Sequence, residues 1–285
     1  MGQFLKRKNE NKKIIVKIIL TVIMTAGAIL FITPLLWMVS ASLKKAGEVF
    51  IYPIKWIPDE LMFSNYKFVW LNEYYPFYIA YYNSIKVAFL TIIGALFVCT
   101  TAAYAFTMIE FKGRNAIFMM FLATIMIPSQ VTLIPRFALF YKYNLYNNHL
   151  ALILPGSFFV LGIFLLRQFY LSIPMELPES AKIDGASHFV ILTRIIVPVT
   201  KPAMISIVIL VFITMWNEYL NPLIFITKKQ LYTIPLGLQA LLDDETRFYN
   251  YIMAAASSAI VTVIIVFLSM QKYFIQGITR TGIKG

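Results

Sequence analysis

Apolar residues in this chain come in long runs separated by short polar stretches. The run from Ile14 to about Val39 is longer than the roughly 20 residues that cross a bilayer as a helix. Five more runs follow, and together they predict spans at about 14–39, 85–109, 116–140, 149–166, 202–226 and 251–270. Helices satisfy their own backbone groups in hydrocarbon, so the pattern predicts an all-α polytopic membrane protein with six transmembrane helices. The third run is interrupted by Pro128 and Pro135, with Ser129 and Gln130 between them. A proline-broken span frees carbonyls that are tolerated at membrane depth only against protein or a water-filled cavity. Ser129 and Gln130 are therefore candidates for facing a pathway; the plainer alternative is a kink that serves packing.

The polar intervals differ in kind. Residues 40–83 carry Pro53, Pro58 and Pro76 with Trp56, Trp70, Tyr74, Tyr75, Tyr78, Tyr81 and Tyr82, which predicts an ordered external loop with an interfacial aromatic belt. Glu110 to Arg114 reads as a tight turn, 141–148 as a short outer loop and 227–250 as a second substantial external loop.

Composition agrees with the membrane reading. Of 285 residues 60% are hydrophobic and 13% charged, whereas a soluble domain is nearer half apolar and a quarter charged. The net charge of +12 would suggest nucleic acid in a soluble protein; here it points to basic cytoplasmic loops and no nucleic-acid partner. Lys6, Arg7, Lys8, Lys12 and Lys13 flank the first run against Glu10 alone. The run is too long for a signal-peptide core and shows no small-residue cleavage site, so it reads as a retained span with residues 1–13 cytoplasmic. An even number of spans returns the tail, 272–285, to that side. The single cysteine, Cys99, sits in an apolar run and permits neither an internal disulfide nor a paired-cysteine metal site.

One polar loop, 167–201, is too organised to be a connector. Its core, Glu179 to Pro198, reads ESAKIDGASHFVILTRIIVP. Ser180, Ala181, Ile183, Ala186 and Phe189 give a small and apolar face, with Lys182, Asp184 and His188 largely on another, as in a short helix that docks into a cleft. Gly185 breaks or bends it, and Asp184 is placed to cap or orient it. Glu179, Ala181, Gly185, Ile195 and Pro198 stand at the positions of the EAA loop of permease subunits of ATP-binding cassette importers, which this stretch resembles. Ser180 replaces the first loop alanine and Val197 a leucine. The resemblance implies a type I importer permease fold in which this loop forms the helix that couples to a cytoplasmic ATPase, through Glu179, Ser180, Ala181, Asp184, Gly185, Ala186 and Pro198.

Two further stretches resemble the same family. Trp216, Asn217, Glu218 and Tyr219 sit within MWNEYLNP and are similar to the fifth-span WNE(Y/F)L segment of maltose-type sugar permeases, the second of their two membrane subunits. Glu218 is the one acid well inside a predicted span, where a carboxylate is costly unless paired, protonated or wetted. Aromatic and amide neighbours suit a carbohydrate path, because sugar C–H faces lie on rings and hydroxyls need polar partners. The alternative is a hydrogen-bonded cluster that holds the span in place. The tail resembles that of the same permeases, in which the terminus reaches the ATPase dimer; Gln276, Gly277, Thr279, Gly282, Lys284 and Gly285 are the positions this implies. The 227–250 loop resembles one that can reach into a docked solute-binding protein.

No catalytic chemistry is visible. His149 and His188 are the only histidines and are far apart, and there is no GxxxxGK[ST] phosphate loop or nucleophile with a partnered base. The chain is expected to hold no cofactor and to be no enzyme. The resemblance implies a second permease, two ATPase subunits that bind ATP and Mg, an extracytoplasmic solute-binding protein and a carbohydrate substrate. Two rivals are the same architecture for glycerol phosphate, polyamine or phosphate, and an ion-coupled carrier using Glu218. The latter should carry an inverted internal repeat, which the sequence does not display.

Overall fold

Every regular element among the described residues is a helix, as apolar runs of this length require. The computed structural model describes residues 2–72, 76–244 and 248–282. In chain order the α-helices are α1 (Gly2–Ser42), α2 (Ser64–Leu71), α3 (Phe77–Met108), α4 (Arg114–Ala123), α5 (Leu133–Lys142), α6 (Leu150–Ser157), α7 (Val160–Leu171), α8 (Glu176–Ile183), α9 (His188–Val190), α10 (Val197–Val199), α11 (Lys201–Trp216), α12 (Leu220–Phe225), α13 (Ile234–Asp244) and α14 (Tyr249–Gly282).

Four stretches among the described residues are helical, long and apolar enough to cross a membrane: Lys13–Ser42, Phe77–Met108, Leu150–Leu171 and Tyr249–Lys272. A fifth arises if His188–Val199 and Lys201–Trp216, bent by 82°, count as one. The expected span 116–140 is not one helix. Ile127, the residue before Pro128, is extended (φ −82°, ψ 114°), and the chain resumes as α5 only at Leu133. The expected span 202–226 likewise stops at Trp216, where Asn217 donates its side-chain amide to the Ile213 carbonyl (2.8 Å) and so ends the helix. The second span begins eight residues earlier than predicted, so Tyr78, Tyr81 and Tyr82 lie on α3 and not in a loop; Tyr74 and Tyr75 fall outside the described residues. The fourth extends to Leu171, with a break at Phe158 and Phe159, which takes Arg167 to Leu171 out of the predicted loop. The last helix continues through Gly282.

The chain divides into two compact units. In one, Met1–Trp70 with Leu241–Ser258, the buried Asn65 gathers the local chain. Its side-chain amide donates to the carbonyls of Ser42 and Lys44 (2.8 Å each), and its oxygen accepts from Asn250 (3.0 Å). Phe68 stacks on Tyr251 at 4.2 Å, and the Trp70 indole donates to Ser258. The apolar side chains of α1 from Ile14 to Phe31 are largely exposed, as expected of a lipid-facing helix. The Lys45 and Glu60 ion pair (2.7 Å) holds the carboxyl below the usual range, yet both groups are exposed and the pair contributes little.

The second unit, Leu71–Ala240 with Ala259–Gly285, is built on α3, against which α6, α7 and α11 pack. Ala95, Cys99, Ala103, Ile163, Leu166, Tyr170, Ile207 and Val211 are buried in one apolar cluster. The helices approach closely because small residues face one another: a Cβ on Gly94 would lie 2.2 Å from Ser157 Oγ. Asn83 donates to the Gln230 and Tyr232 carbonyls, and Ser84 accepts from the Ile234 amide, which orders the 229–234 stretch against the start of α3.

Candidate coupling loop and pathway residues

Helix α8 ends in a Schellman motif. Asp184 is the residue that closes the helix, and Gly185 follows with φ +82°, in the left-handed region that glycine adopts without strain. The Ala186 amide donates to the Ala181 carbonyl (2.9 Å) and the Gly185 amide to that of Lys182 (3.1 Å), the two bonds that define the motif. A Cβ at Gly185 would meet no neighbour within 4 Å, so the requirement for glycine here is conformational.

This geometry corrects the face assignment made from sequence. Ala181 and Ala186, the hydrophobic partners of the motif, pack inward against the apolar cluster. Ile183 and Phe189 point outward, 86% and 74% exposed, and Glu179, Ser180, Lys182 and Asp184 are exposed as well. The predicted single apolar face is therefore two: an alanine pair that seats the loop and an isoleucine and phenylalanine that it presents. Asp184 sits at the C-terminal end of α8, where its backbone amide donates to the Ser180 carbonyl (3.0 Å), and so is not placed to cap the helix start. The cap of the next helix is Ser187, whose hydroxyl accepts from the Val190 amide.

His188, placed from sequence on the face of Lys182 and Asp184, is exposed and also bonds inward through one nitrogen: its Nδ1 lies 2.9 Å from the hydroxyl of the buried Tyr104 on α3. Beside this bond a cleft of about 510 Å³ opens between α8 and the turn after α3, lined by Tyr104, Glu110, Arg114, Glu179, Lys182 and His188. After α9 the chain winds as a π-helix over Ile191–Ile196, with Ile191, Leu192 and Ile196 buried in the core cluster. Pro198 lies in the first turn of α10, and at Thr200 the chain turns by 82° into α11. π-turns concentrate where a helix must carry function or strain. The loop is thus joined to α3 by a hydrogen bond and to α11 by a bent, non-α connection.

The predicted pathway residues fall into separate groups. Trp216 is buried, stacked on Phe212 (5.2 Å) and edge-on to Tyr81 (5.6 Å), so its ring is committed to packing and not to an open surface. Asn217 and Tyr219 are exposed and Glu218 is half-buried, on the break between α11 and α12. Glu218 accepts from the Asn221 amide at 3.1 Å, which supplies a backbone donor in the first turn of α12 with its acceptor. Asn221 in turn accepts from the Arg136 guanidinium on α5. Ser129 and Gln130 are exposed on the break before α5, and Ser129 donates to Gln130 (3.4 Å); no bond joins them to the 216–219 stretch. Arg136 stands out in sequence only as a base near the broken third run and Asn221 only as part of MWNEYLNP; their pairing spans 85 positions, and no local pattern announces it.

Of the tail residues, Gln276, Gly277, Thr279 and Gly282 fall on α14, while Lys284 and Gly285 lie outside the described residues. Among the described residues no three His, Cys, Asp or Glu side chains gather as a metal site. His149 is engaged by the Leu231 carbonyl (2.9 Å) and His188 by Tyr104.

Residues 95–280 match the family described as binding-protein-dependent transport system inner membrane component. The chain is 33% identical over 271 residues to the arabinooligosaccharides transport system permease protein AraQ of Bacillus subtilis (strain 168), covering 94% of this chain and 96% of that one. It is 33% identical to the galactooligosaccharides transport system permease protein GanQ of the same organism, over 90% and 92% of the two chains. It is 31% identical to the sn-glycerol-3-phosphate transport system permease protein UgpE of Salmonella typhi, over 81% and 84%. A chain in the crystal structure of a bacterial ABC transporter involved in the import of the acidic polysaccharide alginate superposes with a TM-score of 0.80 at 24% identity, covering 91% of this chain and 96% of that one. The match over residues 95–280, together with relatives aligned over nearly the whole chain, shows that this protein belongs to the family of binding-protein-dependent transport system inner membrane components.

Proposed function

We propose that this chain is one of two permease subunits of an ATP-driven importer, that it carries an oligosaccharide across the cytoplasmic membrane of a bacterium, and that both its termini are cytoplasmic. The observation that carries the reading is the loop at 176–200: a short helix closed by a Schellman motif, seated by Ala181 and Ala186, that holds Ile183 and Phe189 out to solvent beside Glu179. Exposed apolar residues on two short helices rimmed by charge, Ile183 on α8 and Phe189 on α9, fit a groove on a partner. The partner in this reading is a separate ATPase, which binds ATP and Mg and supplies the energy. The permease relatives named for oligosaccharides support the substrate class.

The mechanism follows from how the loop is held. ATPase closure moves α8; the Tyr104 and His188 bond passes that displacement to α3, and the bent π-helical connection passes it to α11. Helices that pack as one cluster around α3 then move together and change which side the pathway opens to. A solute-binding protein delivers the sugar from outside, the second permease completes the pathway, and the tail on α14 adds a contact to the ATPase.

Co-purification tests the coupling surface. Ile183→Asp and Phe189→Asp should insert normally but lower ATPase recovery, each by about 1.5–3 kcal/mol of apolar contact if its side chain becomes fully buried. Recovery equal to the unmodified chain for both would refute the docking face.

A further inference from the structure

Arg136 and Glu218 sit on two different broken stretches of the chain, and the fold joins them through one residue, Asn221, by its backbone on one side and its side chain on the other. Glu218 Oε1 accepts from the Asn221 backbone amide at 3.1 Å, and Asn221 Oδ1 accepts from Arg136 Nη2. The guanidinium also lies over the Phe225 ring, 5.4 Å from its centroid, while its buried Nε has no hydrogen-bond partner. Around this relay Phe137 stacks on Phe225 and on Tyr141, and the exposed side chains of Tyr141 and Tyr219 leave aromatic surface open beside it.

Each charge alone would set a preference. An unopposed arginine in a low-dielectric channel attracts anions, and an unopposed glutamate attracts cations. Linked through Asn221, the two cancel at a distance and leave a row of donors and acceptors against ring faces. Sugar hydroxyls both donate and accept and so match such a row, while sugar C–H faces match the rings. A carboxylate or phosphate would gain attraction from Arg136 and lose it to Glu218. We propose that the Arg136, Asn221 and Glu218 relay is a charge-balanced selectivity element that passes uncharged saccharides and disfavours anionic ones, such as uronates or phosphorylated polyols. The inference rests on the importer reading above, with Asn217, Glu218 and Tyr219 bordering the pathway.

The test uses the complete transporter in proteoliposomes, with labelled arabinotriose, saturating solute-binding protein, and arabinonate or glycerol 3-phosphate added on the ATP side as competitor. The unmodified protein should be nearly insensitive to either anion. Glu218→Gln, which leaves Arg136 unopposed, should be half-inhibited at an anion concentration lower by about tenfold. The double variant Glu218→Gln with Arg136→Gln should return to the insensitivity of the unmodified protein. Equal sensitivity in all three would overturn the inference while leaving the importer reading intact. Absence of arabinotriose uptake by the unmodified transporter would overturn both. If Glu218→Gln fails to assemble, the double variant decides: restored assembly and uptake support charge balance, and continued failure shows a purely structural cluster and overturns it.

Discussion

The hydroxyl of Tyr104 and Nδ1 of His188 lie 2.9 Å apart, which ties the exposed loop after α8 to the buried face of α3 across 84 positions of sequence. Their rings meet edge to face at 5.8 Å. Tyr104→Phe keeps the ring packing and removes the bond, at a cost of about 1 kcal/mol. It should leave insertion and sugar binding by the solute-binding protein unchanged while uncoupling ATP hydrolysis from uptake, read as more ATP consumed per sugar moved. An unchanged ratio would mean that the bond is only local.

Gly185 makes a separate prediction, because its φ of +82° is what the Schellman motif requires. Gly185→Val should destabilise the loop by about 1–2 kcal/mol despite the empty space around the position, and Gly185→Asn should be milder, since asparagine tolerates the left-handed region. Recovery of the ATPase with each variant checks the order. Equal loss for valine and asparagine would point to steric contact with the partner and away from backbone strain.

At the crossing of α3 and α6 the prediction is one of packing. Gly94→Val places atoms where Ser157 stands, and overpacking of this kind costs about 1–3 kcal/mol. Thermal unfolding in detergent should shift down for Gly94→Val and be largely rescued by combining it with Ser157→Gly, which vacates the space.

Trp216 divides packing from pathway. Trp216→Ala should lower the melting temperature, by analogy with buried aromatic truncations of about 3–5 kcal/mol, whereas Trp216→Phe retains most of the contact with Phe212 and Tyr81. Sugar preference should follow neither variant. A change in preference with a normal melting temperature would return Trp216 to the pathway.

The fold class was legible because apolar runs of membrane length leave the backbone little choice but helix. The loop at 176–200 was legible through Gly185 and the small residues before it, whose spacing reflects a turn that only a few residue types adopt. What the sequence hid was direction and distance. Alanines at 181 and 186 and the apolar Ile183 and Phe189 look alike in a hydrophobic pattern, yet the Schellman turn sends the first pair inward and leaves the second pair out. Pro128 announced a break in the third run; the end of α11 at Asn217 was hidden because an amide bonding back to Ile213 terminates it within an otherwise apolar stretch. The pairing of Arg136 with Asn221 depends on where α5 and α12 come to rest, which no local signal encodes.

In the proposed mechanism ATP hydrolysis on a partner drives a saccharide through this chain. It is tested most directly by uptake of labelled arabino- and galacto-oligosaccharides into vesicles that carry the complete transporter, with ATP, with a non-hydrolysable analogue, and with ATP plus an uncoupler. Uptake should require hydrolysis and survive the uncoupler. Uptake that proceeds with the analogue and collapses with the ion gradient would contradict it, and would make Glu218 the site of ion coupling.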